Sequence, residues 1–282
     1  MYFLLNYFIW IRKNLIRIVF GEYPNFLMEE SHKKIIESSE KINFVSSTNN
    51  FWVSKTMFKK WDFYSNEKNI NLYIYSNSQV NKFMYRFFKD DLIYEIYKKS
   101  VIPVQKIDIF RICFIYLFGG IWLDLKSEIN IKKVKKLYNS SFSKGILLSE
   151  PRKIEVIKVL ENKKVSNHEN VIHNGFFYLP KNSTYLKTLI EKIKDDFLYF
   201  QDISFEHPKQ AIMNLTGPHQ FTRTFHELKE KDRPLLCSHN EVGWNYCSKF
   251  GEYITPFKKI NHYSSIKKLK TIDSKVSLIL EE

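Results

Sequence analysis

Short apolar runs and stretches of helical periodicity alternate along this chain. A run of only a few apolar residues is too short for a helix and is typical of a buried strand. Alternation of such strands with helices predicts an α/β fold in which the central sheet is largely parallel. The predicted strands are residues 42–45, 72–75, 121–123, 145–148 and 171–179, the last interrupted at Asn174-Gly175; the predicted helices are 51–64, 79–99, the stretch that ends at Gly119, and 184–200.

One long helix is predicted between the second and third strands. It covers residues 79–99 and follows a turn at residues 76–78. The spacing of its aromatic and aliphatic residues predicts that Phe83, Phe87 and Leu92 face the core.

The helix that ends before Gly119 has one apolar face and a separate charged pair. Asp108 and Arg111 lie three residues apart, so their side chains share a face. On a helix surface such an ion pair would contribute only about 0.3–0.5 kcal/mol. The apolar residues at core spacing are Ile107, Phe110, Phe114 and Leu117.

A glycine pair and a short buried strand follow this helix. Gly119 and Gly120 allow the left-handed backbone conformation that ends a helix and turns the chain. Residues 121–123 are then predicted as a strand, and Asp124 stands at its end. Ligands of open α/β sheets lie outside the carboxyl ends of the strands. Asp124 is therefore expected to bind a metal ion, a hydroxyl or a cation.

The block that contains these residues resembles the glycosyltransferases with a DXD sugar-binding region. This superfamily is similar to family 32 and includes a yeast α-1,6-mannosyltransferase, bacterial capsule and lipopolysaccharide transferases, and the catalytic domains of clostridial glucosylating toxins. Its pattern appears here as Asp108…Arg111…Phe118-Gly119-Gly120-Ile121-Trp122-Leu123-Asp124-Leu125-Lys126. The resemblance implies a GT-A-type nucleotide-binding sheet, Rossmann-like and mostly parallel, flanked by helices and extended by additional N-terminal helices.

The resemblance also implies a role for each residue of the block. Asp124 corresponds to the catalytic carboxylate that contacts sugar or ribose hydroxyls and helps to hold Mn²⁺ or Mg²⁺. Asp108 and Arg111 correspond to the pair that binds hydroxyls of the donor sugar. Gly119 and Gly120 belong to the same donor-binding block.

Lys126 replaces the second aspartate of the motif. An ammonium group repels a divalent cation and removes one metal ligand. Either Glu128 or a distant residue replaces that ligand, or Lys126 itself supplies positive charge to the diphosphate of the donor, since a lysine is a competent point charge for phosphate. A third hypothesis is that the protein has lost catalysis and only binds its ligand.

Three downstream sites extend the resemblance. Asn174, followed by a glycine and two phenylalanines, is similar to an Asn that the superfamily places beside the donor sugar or the acceptor; Asn-Gly is also a strong turn signal. Thr216 and Gly217, followed by a proline, resemble a loop that lines the active-site floor, or form an ordinary turn between helices. His262 falls where related enzymes carry a histidine that ligates the metal or binds phosphate.

The chain is strongly basic, with 44 Lys and Arg against 30 Asp and Glu and a net charge of +14. Such a field attracts nucleic acid, anionic lipid, nucleotide diphosphates and acidic glycans. The aromatic residues fall at core-like spacing, and the sequence carries no recognisable nucleic-acid-binding signature. We therefore expect no nucleic acid partner, and a membrane surface together with a nucleotide sugar accounts for the charge.

Three segments are predicted along the chain. Residues 1–40 are helical, with an apolar start that is shorter than the about 20 residues a spanning helix needs. This segment either packs on the domain or lies on an anionic membrane surface. Residues 41–265 form the GT-A domain. Residues 266–282 are a basic tail that closes the fold as a helix or strand, or contacts a membrane.

Together these features predict a glycosyltransferase that moves a sugar from a nucleotide-sugar donor to a glycan or lipid-linked glycan acceptor. The resemblance implies retention of anomeric configuration and a role in bacterial capsule or lipopolysaccharide synthesis. An odd count of 3 cysteines favours the reducing cytosol, where the enzyme would be peripheral on the inner face of the membrane. The alternatives are a toxin-like transferase that modifies a protein and an inactive basic binding protein of the same fold.

Overall fold

The computed structural model describes residues 42–48, 55–67, 70–161, 170–246 and 266–276. The predicted N-terminal helical segment, residues 1–40, and the predicted metal ligand His262 lie outside these ranges.

A mixed six-stranded sheet lies at the centre of the described residues, in the order β2-β1-β3-β6-β5-β8. Within this sheet β6 runs antiparallel to both of its neighbours, and the other neighbouring pairs are parallel. Two short antiparallel pairs, β4 with β9 and β7 with β10, lie outside it. The strands are β1 (Ile42–Thr48), β2 (Ile70–Ser76), β3 (Gly120–Leu123), β4 (Ser127–Glu128), β5 (Ile146–Pro151), β6 (Asn170–Leu179), β7 (Ser204–Phe205), β8 (Leu235–Ser238), β9 (Asn245–Tyr246) and β10 (Leu269–Lys270).

Helices cover both faces of this sheet. They are α1 (Lys55–Ser65), α2 (Asn77–Phe88), α3 (Leu92–Lys99), α4 (Pro103–Phe118), α5 (Ile131–Ser141), α6 (Thr184–Phe200), α7 (Pro208–Leu215), α8 (Pro218–Glu227) and α9 (His239–Val242). One hydrophobic cluster joins the sheet to α2, α3, α4, α6, α7 and α8, and a second joins the opposite face to α1, α5 and α9. The predicted α/β class, with a mostly parallel sheet flanked by helices, is confirmed.

Strand β3 shows how the sequence builds the two layers. Its side chains alternate between the faces, because successive residues of a strand point to opposite sides. Ile121 and Leu123 join the cluster on the α1 side, and Trp122 joins the cluster on the α4 side. All three are buried, as predicted for this strand.

Helix α4 is buried around most of its circumference, because it packs against the sheet, α3 and α6. Phe110 and Phe114 are buried as predicted. Asp108 and Arg111 are also buried, with about one twentieth of each side chain exposed (5% for both). The pair is therefore not an ion pair of the helix surface, the alternative that would contribute only about 0.3–0.5 kcal/mol.

The predicted single helix 79–99 is two helices. Helix α2 ends at Phe88, and α3 begins after Asp91, whose carboxylate accepts a hydrogen bond from the backbone N–H of Ile93. Phe83 is buried as predicted, whereas Phe87 and Leu92, also predicted to face inward, are exposed.

The predicted turn at residues 76–78 is also wrong. Ser76 ends β2 and at once caps α2, since its hydroxyl accepts a hydrogen bond from the backbone N–H of Gln79. The Gln79 side chain in turn accepts from the backbone N–H of Ser76. This capping box joins strand to helix without an intervening turn.

Strand β6 continues through Asn174-Gly175 instead of breaking there. Leu147 of β5 pairs with Phe177, whereas the next residue, Leu148, pairs with His173. Residues 174–176 are therefore extra residues of β6 at an irregularity in the pairing. The interpretation of Asn174 as a turn residue is wrong, and the irregularity re-aims the side chains around it.

The C-terminal residues 266–276 pack on the domain. Strand β10 pairs with β7, and the buried Ile272 bridges to Ser100 and Gln201. Within the described residues, no helix combines the length and apolar character that crossing a bilayer requires.

Candidate functional site

Asp124 follows β3 directly, at the edge of the sheet where the parallel strands have their carboxyl ends. Because β6 is antiparallel to β3, its first half reaches the same edge. The backbone N–H of Asp124 donates to the carbonyl of Gly175 at 2.8 Å. Local sequence order therefore places Asp124 at this edge, and strand pairing brings His173, Asn174 and Gly175 beside it.

Arg111 connects three separate elements at this edge. Its Nη2 lies 3.1 Å from Asp108 Oδ1, and its Nη1 lies 3.3 Å from Asp124 Oδ1. Nη1 also donates to the carbonyl of Asn174 at 2.6 Å. The guanidinium lies over the indole of Trp122, 4.8 Å from the ring centroid. Arg111 is thus held by α4, the end of β3 and β6 together.

Asp108 connects the same group to the loop between α7 and α8. Its Oδ1 accepts a hydrogen bond from Asn174 Nδ2 at 3.1 Å, and its Oδ2 accepts from Thr216 Oγ1 at 3.3 Å. Residues from four distant parts of the chain thereby form one hydrogen-bonded group, which we call the Asp108–Arg111 network: Asp108, Arg111, Asp124, Asn174 and Thr216. All five are residues that the sequence predicted for the site.

Asp124 is the most exposed carboxylate of the network, with 26% of its side chain accessible. Its Oδ1 accepts a hydrogen bond from Trp122 Nε1 at 2.9 Å and faces Arg111. Its Oδ2 lies beside Gly175, since a Cβ added to this glycine would be 2.9 Å from that oxygen. Asp124 can therefore offer Oδ2 to a ligand while Oδ1 is held by the protein.

Asp108 and Arg111 contact protein groups through the polar atoms that form the network. Their burial makes them the frame that holds Asn174, Thr216 and Asp124 in place. Direct contact of this pair with a donor sugar, which the resemblance implies, stays a prediction.

Burial raises the pKa of Asp108 to about 7, since a charged carboxylate loses its hydration there. The Arg111 guanidinium opposes this shift, the nearby Asp124 carboxylate adds to it, and the hydrogen bonds from Thr216 and Asn174 oppose it. The network therefore contains a carboxylate that gains or loses a proton near neutral pH.

This proton has a measurable effect on stability. We expect the unfolding free energy of the wild type, relative to that of Asp108→Asn, to fall as the pH rises from about 4 to about 7. The folded protein retains the proton in this window while the unfolded chain, with a pKa of about 3.9, has lost it. The slope is at most about 1.4 kcal/mol per pH unit. Chemical denaturation across the window measures it, and a difference that stays constant with pH would contradict the prediction.

Gly119 and Gly120 lie outside the network, where α4 ends and β3 begins, whereas Asp124 follows the end of β3. Both have positive φ angles, 69° and 116°. A Cβ on Gly119 would be 2.8 Å from the backbone nitrogen of Lys181, and one on Gly120 would be 2.8 Å from the carbonyl oxygen of Asn43. The structure gives both glycines a role in backbone turning and close packing.

Gly217 shapes the loop that carries Thr216. It is the N-cap of α8, and a Cβ there would be 2.9 Å from the Cα of Met213. Its lack of a side chain lets α7 and α8 meet closely. Residues 216–217 connect two helices, as one alternative predicted. Thr216 also donates a hydrogen bond to Asp108, so the same segment lies at the candidate site, as the other alternative predicted.

Two metal ligands besides Asp124 were predicted, and of these only Glu128 lies within the described ranges. Glu128 in β4 forms an ion pair with Lys60 at 2.9 Å, and Lys126 is half-buried between Asp124 and that strand. In the part of the chain that the structure describes, no three His, Cys, Asp or Glu residues are grouped so as to hold a metal ion. The Mn²⁺ or Mg²⁺ ion therefore stays a prediction.

Sequence reasoning did not single out His173, His239 and Trp244, which lie at the same edge. His173 was detectable as a polar residue inside an otherwise apolar strand. His239 and Trp244 follow β8 and carry no local signal, because only the strand order brings them near β6.

No protein-family model matches the chain, and no curated protein sequence matches it. Among solved structures, the chain is similar to one titled "PaToxG Glycosyltransferase". The two share 15% sequence identity with a TM-score of 0.43, over 66% of this chain and 69% of that chain. This likeness is too distant to assign a family or a function, so the function rests on the site.

Proposed function

We propose that this chain is a glycosyltransferase that uses a nucleotide-activated sugar as donor. The supporting observation is the Asp108–Arg111 network, in which residues up to 108 positions apart converge through hydrogen bonds. The network ends in Asp124 at the edge of the sheet where α/β proteins bind ligands. These residue types match the sugar-transferase pattern in the sequence. That pattern does not specify contacts between distant residues, so the hydrogen-bonded network is an additional observation in its favour.

The geometry suits binding of a sugar next to a leaving diphosphate. Asp124 Oδ2 is a charged acceptor for sugar hydroxyls, and charged acceptors form stronger hydrogen bonds than neutral ones. Arg111 and Trp122 fix the orientation of this carboxylate through Oδ1. Lys126, two residues along, would place positive charge near the departing diphosphate, and such preorganised charge is a large source of rate enhancement.

A divalent ion fits this site only in part. Asp124 Oδ2 is one suitable ligand, Glu128 is engaged by Lys60, and His262 lies outside the described residues. Mg²⁺ at phosphate sites is commonly held by one or two carboxylates together with substrate phosphates and water. Asp124 and the donor diphosphate would then share the ion. When bound, the ion would neutralise charge on the leaving group.

The finer parts of the proposal concern the acceptor and the location. We favour a glycan or lipid-linked glycan acceptor, as in bacterial capsule or lipopolysaccharide synthesis, with retention of configuration. We also favour a peripheral position on the cytoplasmic face of an anionic membrane. The sequence resemblance supports the first and the net charge of +14 supports the second.

Donor hydrolysis tests the proposal without knowledge of the acceptor. Purified protein is incubated with a panel of UDP- and GDP-sugars in Mn²⁺, Mg²⁺ and EDTA, alongside Asp124→Asn. We expect one donor to be cleaved, and the cleavage to depend on Asp124. Cleavage that survives EDTA would indicate that Lys126 neutralises the charge of the leaving diphosphate. Cleavage abolished by EDTA would indicate that a metal ion does so. If no donor is cleaved or bound, the glycosyltransferase proposal is wrong.

A further inference from the structure

Three aromatic rings form a cluster beside Asp124, which we call the imidazole–indole cluster: His173, His239 and Trp244. The centroid of the Trp244 ring lies 4.7 Å from that of His173 and 4.6 Å from that of His239. The two imidazole centroids are 6.1 Å apart. All three side chains are half-buried at the carboxyl edge of the sheet. The cluster comes from β6, α9 and the residue that follows the αL cap of α9.

The cluster borders the carboxylate of Asp124. A Cβ added to Gly175 would be 2.6 Å from His173 Cε1 and 2.9 Å from Asp124 Oδ2. The imidazole edge and the carboxylate oxygen therefore face the same small space above this glycine. A residue larger than glycine at this position would fill that space.

The backbone assigns the tautomer of His173. The N–H of Gly175 donates to His173 Nδ1 at 3.3 Å, so Nδ1 carries no proton and Nε2 carries it. Within the described ranges no group hydrogen-bonds to Nε2, which leaves an N–H donor for a ligand.

A second ring nitrogen in the cluster also lacks a partner. The Nε2 atom of His239 is buried and forms no hydrogen bond with any residue that the structure describes. A buried polar group left unpaired destabilises the folded protein unless a ligand or water pairs with it. The imidazole–indole cluster therefore contains a second polar group that a ligand or water could pair with.

The combination of groups selects the chemistry of the ligand. Asp124 Oδ2 accepts, His173 Nε2 donates, and Trp244 presents part of an indole. A phosphate would be repelled by Asp124 here, and a hydrocarbon would leave both polar groups unpaired. A sugar ring has hydroxyls that both donate and accept around an apolar C–H face, so it satisfies all three groups.

We infer that Asp124, His173 and Trp244 form a subsite for a neutral pyranose ring. A ring hydroxyl bridges Asp124 Oδ2 and His173 Nε2, and a C–H face packs against Trp244. The inference rests on the proposed function in one respect, because that function makes the pyranose part of the donor or of the acceptor.

The tautomer is tested without any ligand. Long-range ¹H–¹⁵N correlation spectra at neutral pH distinguish a protonated Nε2 from a protonated Nδ1, and His173→Gln assigns the signals. We expect the proton on Nε2. A proton on Nδ1 would remove the donor and overturn the inference, whatever the protein's activity.

Binding is tested by saturation-transfer NMR with the methyl pyranosides of glucose, mannose, galactose and N-acetylglucosamine, and with UDP and GDP. We expect wild-type protein to bind at least one pyranoside, and Trp244→Leu and His173→Asn to weaken it about tenfold or more. His173→Gln, whose amide can reach the Nε2 position, should retain more binding than His173→Asn. Binding of the nucleoside diphosphates should be unchanged in all three variants.

Competition identifies the source of the sugar. A pyranoside displaced by the intact donor marks the subsite as that of the donor sugar, and one that binds together with the donor marks it as that of the acceptor. Pyranoside binding without donor cleavage would support the subsite and reject the transferase. Donor cleavage with no pyranoside bound, or with binding unchanged in Trp244→Leu and His173→Asn, would reject the subsite alone.

Discussion

Replacing Arg111 with methionine is expected to lower the free energy of unfolding by about 3–5 kcal/mol, the range for breaking a buried ion pair from one side. Methionine fills much of the same volume but removes the charge. Asp108, with 5% of its side chain exposed, would then lack its cation, and the carbonyl of Asn174 would lose its donor. Denaturant unfolding, followed by circular dichroism, measures the change.

The loss should be larger at about pH 8 than at about pH 6. Asp108 can accept a proton near pH 7 and so escape part of the penalty in acid, whereas at higher pH the uncompensated charge must be buried or neutralised. Arg86→Met is the matched control, because Arg86 is an exposed arginine on α2. It should change the free energy of unfolding by no more than about 0.5 kcal/mol. A loss below about 1 kcal/mol for Arg111→Met would show that the network does not hold the fold together.

Asp124→Asn is expected to reduce donor cleavage about 100- to 1,000-fold, the usual effect of removing one preorganised electrostatic group. The amide keeps an oxygen that can accept the hydrogen bond from Trp122 Nε1, so the side chain should stay in place. It loses the charge that binds hydroxyls strongly at the Oδ2 position. Steady-state rates with the donor identified in the hydrolysis screen measure the effect.

Stability separates this result from misfolding. Asp124 is partly exposed, so the free energy of unfolding should fall by no more than about 1–2 kcal/mol in Asp124→Asn. Asp195→Asn changes an exposed carboxylate on α6 and should leave both the rate and the stability as in the wild type. Equal rates of donor cleavage for Asp124→Asn and wild type would show that Asp124 takes no part in the reaction.

Helices and strands were predicted correctly from local sequence where the hydrophobic pattern was long or unambiguous. Helix α6 was predicted with its observed bounds, because apolar residues recur at helical spacing throughout it. Strand β3 was predicted as buried because Ile121, Trp122 and Leu123 are all apolar. The break between α2 and α3 was missed, since a single N-cap at Asp91 interrupts a pattern that otherwise continues.

For the candidate site, too, local features were predictable from the sequence and contacts between distant residues were not. The sequence by itself determined the α/β class and the residue types at the edge of the sheet, because periodicity and strand ends are local properties of the chain. Only the tertiary structure decided that Asp108 and Arg111 are buried, and that Thr216 bonds to Asp108. The placement of His173 beside Asp124, and of Trp244 beside His173, was decided in the same way. Contacts between residues so far apart in the chain depend on strand order, on the reversed direction of β6 and on its irregular pairing with β5, and no local pattern encodes these.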